Sequence, residues 1–517
     1  MASTSSKTLK LSKGPTSSLP NDVEQEERRG LLNDSSPDNQ LNSDHFYGPE
    51  EKHGRRRTKR VAAIAAGLIA LLVTGTFART FLWAKPDPRI QSFSAGQLFN
   101  NGTHEFKRTV VIVSIDGLRA DYLDRNLSPH LLALSKKGLR AKSMKPVFPT
   151  LTFPNHWALM TGLHAESHGI VANNFWDPTL KEEFHYNRIS SAWNPVWWLG
   201  EPMWETAGKA GVITANLMWP GPPKTTSGAS ASYFVPWKDK VSLDWKLDQI
   251  TKWVDLPFET RPQLIMMYEP SLDQAGHATG PYSKRVNETL VQVDTFAKDL
   301  QETLAARNLT DIIDVVFVSD HGMTDTSHPE HIYMEDILGE DGIGAVAHED
   351  GWPAMGFRFH ENANISKYLS RLVEASDASP DKFSVYTHET MPERYHFSNN
   401  ERIAPIYVVP EIGYVLTTRA EGDVGLNKGS HGYDNNESSM HAMFVAHGPF
   451  SHAAKAQHKQ LSSRATKGWH STSEDVYVME TFRNVEIYNL VMKLLGITKF
   501  SAPNNGTVGF WDQYISP

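Results

Sequence analysis

Cysteine is missing from all 517 residues, which removes disulfides, thiolate metal sites and cysteine nucleophiles together. Any metal must therefore be held by histidine and carboxylate. An excess of positive charge is missing too. The formal net charge is −8, so duplex nucleic acid, whose binding rests on counterion release at a basic surface, is not an expected partner. An anionic substrate then needs local positive charge, which bound metal ions supply even in an acidic protein. No internal repeat is found. With 40% hydrophobic and 21% charged residues, the composition is that of a chain that folds around a core. Lack of disulfides says little about compartment, because a core of that size does not need them.

Hydrophobic periodicity is absent from the first 53 residues, as in Ser3-Thr4-Ser5-Ser6 and Asn33-Asp34-Ser35-Ser36. Residues 1–60 are expected to be a disordered tail. The tail ends in a basic cluster, Lys52, Arg55, Arg56, Arg57, Lys59 and Arg60. The uncharged run VAAIAAGLIALLVTGTFA at 61–78 follows and meets the lower length limit for a membrane-spanning helix. A cleaved signal peptide carries its charges nearer the N-terminus and has a shorter apolar core; a buried core helix is the plainer alternative. Six cations before the run, against Arg79, Lys85 and Arg89 after it, fit the positive-inside rule. The expectation is one signal-anchor helix over 61–84 in the lipid bilayer, a stalk over 85–105 and a catalytic domain over 106–517. The N-terminus is then cytosolic and the remainder lumenal or extracellular. Seven acceptor tripeptides for N-glycosylation, at Asn101, Asn126, Asn287, Asn308, Asn364, Asn436 and Asn505, agree with that topology.

From Thr109 the pattern changes to short β-branched runs that stop abruptly at polar residues. TVVIVSI at Thr109–Ile115 ends in Asp116, LIMMY at 264–268 leads into a loop holding Asp273 and His277, and DVVFVS at 314–319 ends in Asp320-His321. Strands this apolar belong to a parallel or mixed sheet buried on both faces, with helices such as 287–307 between them. In open α/β sheets ligands bind beyond the carboxyl ends of the strands, where these polar residues fall.

Each polar cluster has an ordinary structural reading. Asp116 is placed to cap the segment after it. Asp273 and His277, four residues apart around a glycine, fit a solvated loop, and His431 in Ser430-His431-Gly432 fits an exposed one. Asp320-His321-Gly322 is sharper, since a carboxylate and an imidazole at a strand terminus present two ligands to one ion. Thr152, two residues before Pro154 and ahead of a helix, has the arrangement of an N-cap. The same arrangement suits catalysis: a helix N-terminus offers N–H groups and a favourable dipole to phosphate, and a metal turns the hydroxyl into a nucleophile.

Several ordered motifs together resemble the nucleotide pyrophosphatase/phosphodiesterase family of the alkaline phosphatase superfamily. They are Asp116-Gly117, Thr152-Phe153-Pro154-Asn155-His156, Thr161-Gly162-Leu163 with Glu166-Ser167-His168-Gly169-Ile170, Asn173 before Trp176-Asp177-Pro178, Asp273 to His277, Ser319-Asp320-His321-Gly322-Met323 and His431-Gly432-Tyr433-Asp434-Asn435. Ala502-Pro503-Asn504-Asn505-Gly506-Thr507 follows near the end, so the match covers 109–507. The resemblance implies an α/β, alkaline-phosphatase-like fold whose central, mostly parallel or mixed sheet is flanked by helices on both faces. It implies two zinc ions, one bound by Asp273, His277 and His431, the other by Asp116, Asp320 and His321 with Thr152 as oxygen partner. It implies that Asn173 donates a hydrogen bond to a phosphate oxygen in the transition state. It also implies that Phe153 and Trp237 sandwich a nucleobase. The implied activity is hydrolysis of nucleotide pyrophosphate and phosphodiester bonds through a covalent phosphothreonine, a triphosphate giving monophosphate and pyrophosphate. Two metals about 4 Å apart hold the attacking and leaving oxygens of such an in-line displacement.

There are departures from the family pattern. Ser271-Leu272 stand as two extra residues between Glu269-Pro270 and Asp273, Leu151 replaces a lysine of many members, and Leu199 replaces one found in some nucleotide-preferring members. Without cysteine, the disulfide-rich accessory and nuclease-like domains of animal members are missing, so the chain resembles the compact fungal type. A sulfatase is disfavoured, because its usual nucleophile is made from cysteine. A monoesterase, a lysophospholipid or choline-phosphate headgroup phosphodiesterase, and a catalytically silent membrane receptor remain as alternatives.

Overall fold

The run Thr109–Ile115 forms strand β1, and every residue in it is buried. In the computed structural model, which describes residues 96–420, 427–460 and 467–515, β1 lies inside an eight-stranded sheet. The other strands are β2 (Leu139–Ala141), β3 (Thr214–Leu217), β4 (Tyr233–Val235), β5 (Leu264–Glu269), β6 (Ile313–Val318), β7 (Phe444–His447) and β8 (Val478–Met479), in the spatial order β8-β2-β7-β6-β1-β5-β3-β4. β6, β1, β5, β3 and β4 run parallel, while β7 is antiparallel to both its neighbours. The sheet is therefore mixed, as the continuous apolar runs predict.

Side-chain alternation divides the core in two. Val110 and Ile112 of β1, with Leu264 and Met266 of β5, face one cluster that includes Leu490 and Val491 of helix Glu486–Leu494. Val111, Val113 and Ile115, with Ile265 and Met267, face the other, which includes Leu290 and Val293 of helix Lys284–Ala305 and Ile250 and Trp253 of helix Leu243–Val254. A smaller four-stranded sheet, with Ile406–Pro410 and Met355–Phe359 at its centre, builds a third cluster with helix Ile365–Ala378.

The predicted tail, the membrane helix at 61–84 and most of the predicted stalk lie outside the described residues. Among the described residues, no helix is long and apolar enough to cross a membrane. Leu98–Asn100 pairs with Glu105–Lys107, and the Asn101 amide donates to the Arg307 carbonyl at 2.8 Å. Folded structure thus begins before residue 106.

Ile112 is fully buried at the centre of this stack. Ile112→Ala should lower the free energy of unfolding by about 2–5 kcal/mol, the transfer and cavity cost of such a truncation. Denaturant unfolding measures this, and a loss under about 1 kcal/mol would contradict the packing described.

Candidate metal centre and nucleophile

The parallel strands β6, β1 and β5 are neighbours, so their carboxyl ends open on the same edge of the sheet. Asp116 follows β1 directly, and Asp320-His321 follow β6 after Ser319. Beyond β5 the structure corrects the expected loop. Ser271–Thr279 is a helix, and Leu272, one of the two extra residues, is buried in its first turn. Asp273 and His277 are one turn apart on that helix, and residues at i and i+4 share a face.

His431 arrives from far along the chain. It follows the two-residue strand Gly429–Ser430, which pairs with Thr324–Asp325 just past His321. It is buried rather than an exposed loop histidine. Two glycines allow these approaches. Gly117 has a φ of 67°, and a Cβ on it would stand 3.1 Å from the Asp273 side chain; a Cβ on Gly322 would collide with the Ser439 carbonyl.

Six predicted ligands thus converge in two groups, Asp273 with His277 and His431, and Asp116 with Asp320 and His321, the ligand atoms of each group all lying within 4.8 Å of one another. His277 Nε2 is 3.0 Å from His431 Nε2, and both are 3.5 Å from an Asp273 oxygen. His321 Nε2 is 3.4 Å from Asp116 Oδ1 and 3.0 Å from Asp320 Oδ2. The rings of His321 and His431 stack at 3.5 Å, so the groups adjoin.

Backbone carbonyls orient all three imidazoles. Gly429 faces Nδ1 of His277 at 2.9 Å, Thr150 faces that of His431 at 2.8 Å and Gly322 faces that of His321 at 2.8 Å. A carbonyl only accepts, so Nδ1 of His431 and of His321 carries the proton and Nε2 of each offers its lone pair inward, while Nδ1 of His277 also meets the Asn427 side-chain amide nitrogen at 2.9 Å.

The electrostatics point the same way. Burial, then repulsion by Asp320 and Asp273, drives the pKa of Asp116 well above the usual carboxylate range. Burial, then His321 and His277, drives that of His431 well below normal. Burial would also raise Asp320, but His321 and His156 outweigh it and hold that carboxyl well below its usual range. Asp116 Oδ1 and Asp320 Oδ2 are buried without a hydrogen bond of good geometry. Oxygen and imidazole donors in this number and burial fit divalent metal ions.

Thr152 opens helix Thr152–Thr161 as its first residue rather than its cap, which is Leu151. Its Oγ1 lies 3.1 Å from His321 Nε2, at the junction of the two groups. Asn155 braces the turn before it by accepting from the Val147 N–H at 2.8 Å and donating to the Leu151 carbonyl at 2.9 Å. Asn173 Oδ1 accepts the Phe153 N–H at 3.0 Å, which leaves the Asn173 NH2 donors for solvent or ligand. The Phe153 ring packs near Tyr186, Trp198 and Phe184. Trp237 packs elsewhere, 5.6 Å from the Tyr268 ring, so the two predicted aromatics rest on different neighbours.

Two residues that the sequence did not assign also enter the site. The Tyr268 hydroxyl donates to Asp116 Oδ2 at 2.5 Å, and burial, then Asp116, raises its pKa. His156 lies 3.2 Å from Asp320 Oδ2. The signals were slight: Tyr268 closes the apolar run of β5, and His156 follows Thr152 by one helical turn in the same motif.

Comparison with known proteins agrees with this geometry. The profile of the type I phosphodiesterase / nucleotide pyrophosphatase family matches residues 110–434. An uncharacterized pyrophosphatase/phosphodiesterase of Schizosaccharomyces pombe is 37% identical over 80% of this chain and 81% of its own length. Ectonucleotide pyrophosphatase/phosphodiesterase 1 of Saccharomyces cerevisiae is 33% identical over 83% of this chain and 61% of its own. Family member 3 of Rattus norvegicus is 32% identical over 77% of this chain, which spans only 43% of that longer relative. The solved structure of murine ectonucleotide pyrophosphatase/phosphodiesterase 5 superposes with a TM-score of 0.68 at 28% identity, over 79% of this chain and all of that one. An inactive threonine-to-alanine variant of the murine protein, solved in complex with AMP, matches over 80% of this chain with the same TM-score. The chain therefore belongs to the nucleotide pyrophosphatase/phosphodiesterase family and shares its alkaline-phosphatase-like fold.

Proposed function

We propose that this protein hydrolyses pyrophosphate and phosphodiester bonds of nucleotides, with Thr152 as covalent nucleophile beside two zinc ions. The observation that carries the reading is the place of Thr152 Oγ1, 3.1 Å from His321 Nε2 where the two ligand groups meet. The AMP complex of the murine relative supports a nucleotide as substrate. Asp273, His277 and His431 would hold one zinc, and Asp116, Asp320 and His321 the other. Bound there, zinc supplies positive charge against the phosphate and lowers the pKa of a hydroxyl or water at the site.

Thr152 Oγ1, deprotonated, forms a bond to the α-phosphorus as the bond to the pyrophosphate oxygen breaks. Water then displaces Thr152 from phosphorus and the hydroxyl is restored. Asn173, with its Oδ1 held by the Phe153 N–H, presents its NH2 group to a phosphate oxygen as charge develops. The helix N-terminus at Thr152 adds its dipole. Phe153 and Trp237 offer apolar faces to a base.

Purified full-length protein with zinc should convert ATP to AMP and pyrophosphate, read by separating the products. Thr152→Ala should lower kcat by at least about 10³-fold, the scale of losing a covalent catalyst, without shifting the thermal midpoint. Release of phosphocholine from a lysophospholipid with no turnover of ATP would move the activity to lipid headgroups. Near-normal turnover by the variant would end the threonine mechanism.

Removing metal with a strong chelator should abolish activity, and zinc should restore it better than magnesium, since two carboxylate–histidine sets suit a borderline ion. Full activity in excess chelator would refute the metal reading.

We also propose that residues 61–84 anchor the protein, with the site outside the cytosol. Of the seven glycosylation tripeptides, Asn126, Asn308, Asn364, Asn436 and Asn505 are exposed on the folded surface. Endoglycosidase should increase the electrophoretic mobility of protein from its native membrane. No shift, with digestion of the domain by protease added to the cytosolic side, would reverse the topology.

A further inference from the structure

His156 is fully buried one turn after Thr152. Its Nδ1 lies 2.9 Å from the Thr152 carbonyl oxygen and 3.2 Å from Asp320 Oδ2. Both of those oxygens only accept, so Nδ1 carries the proton, bonded to the Thr152 carbonyl with the Asp320 carboxylate beside it. Nε2 is then the acceptor, and the Ser114 hydroxyl, 2.9 Å away, is its donor. Ser114 sits near the carboxyl end of β1, two residues before Asp116. The imidazole is also held edge-on by Trp219 and Tyr268, with ring centroids 5.4 and 4.9 Å away.

A histidine that only satisfied its own helix would bond the carbonyl four residues back and stop there. Here the same N–H also faces a carboxylate of the ligand group, and the opposite nitrogen is fixed to β1. Three parts that must agree in position for attack meet on one rigid ring: the backbone of the nucleophile, the Asp320 carboxylate and the strand that carries Asp116.

We propose that His156 is a positioning residue that sets the Thr152 hydroxyl against the Asp320 carboxylate through its Nδ1–H. Ser114 holds the tautomer. Substrate does not touch His156, so its loss should act on turnover rather than on binding. The inference rests on Thr152 as nucleophile.

The test compares two variants that each keep one end of the imidazole. In His156→Asn the amide NH2 replaces Nδ1–H, whereas in His156→Gln it reaches the place of Nε2, beside Ser114. With bis(p-nitrophenyl) phosphate as probe, His156→Gln should lower kcat about 10–100-fold, the usual loss when a partner of a metal ligand is removed, with KM within about twofold. It should also weaken zinc binding by the metal-free protein, measured by chelator competition, by about tenfold. His156→Asn should keep kcat and zinc affinity within about threefold of the parent, because the donor to Asp320 is retained. Thermal midpoints of the metal-free proteins should agree for the two variants.

Equal losses in both variants, or none in either, would overturn the proposal. So would a fall in kcat of His156→Gln that only tracked its thermal midpoint. Thr152→Ala measured alongside keeps the two readings apart. If it retains turnover, the nucleophile assignment has failed; if it is inactive while the His156 variants behave alike, positioning alone has failed.

Discussion

Everything at this site depends on three aspartates being buried together at the open edge of one sheet. Like charges in a low-dielectric setting repel strongly, and burial, then repulsion by Asp320 and Asp273, pushes the Asp116 carboxyl toward its neutral form. The fold forces the meeting because β6, β1 and β5 are parallel neighbours in register, so that Asp116 and Asp320 emerge side by side. The two core clusters on either face fix those strands, and the charged residues at their ends have no room to separate. Binding of dications is the physical relief such an arrangement invites, and it links stability of the domain to occupancy of the site.

The polar contacts around the ligands act on orientation rather than on charge. Each histidine has its Nδ1 on a backbone carbonyl from a different part of the fold: Gly429, Thr150 and Gly322. Tyr268 takes Asp116 Oδ2, so Oδ1 is the oxygen left to face His321. The Phe153 N–H fixes the Asn173 amide in the same manner. These bonds cost little when the sheet is already formed, and they remove the rotational freedom that a loosely held ligand would have to lose on binding.

Much of this was legible in the sequence, for reasons that can be stated residue by residue. A short, β-branched apolar run such as Thr109–Ile115 suits a strand buried on both faces, and an Asp at the end of such a run is where an α/β sheet places its ligands. The helix expected over 287–307 spans Lys284–Ala305. The helix that carries Asp273 and His277 is hidden in the sequence because only nine residues separate Pro270 from Gly280, too short a stretch for periodicity to declare it. The roles of Tyr268 and His156 are not legible locally, because their partners lie far off in the chain. Asp116 and Asp320 are brought to them only by sheet pairing, and local pattern holds no trace of that.

The departures from the family pattern are not equivalent once placed. Leu151 is 4% exposed, and its Cδ2 would lie 2.9 Å from a Cβ on Gly432, in the turn that carries His431. A lysine there would have to bury its stem against that turn and carry its charge outward. Leucine at this position is thus foremost a packing choice beneath the Thr152 helix. Leu199, by contrast, is 41% exposed, and its carbonyl holds Trp157 of the same helix through the indole N–H at 2.7 Å. At Leu199 the exchange of lysine for leucine removes a solvent-facing charge while the backbone contact stays. A lysine at 199 would add a solvent-facing charge, whereas a lysine at 151 would have to displace the leucine packed against the turn of His431.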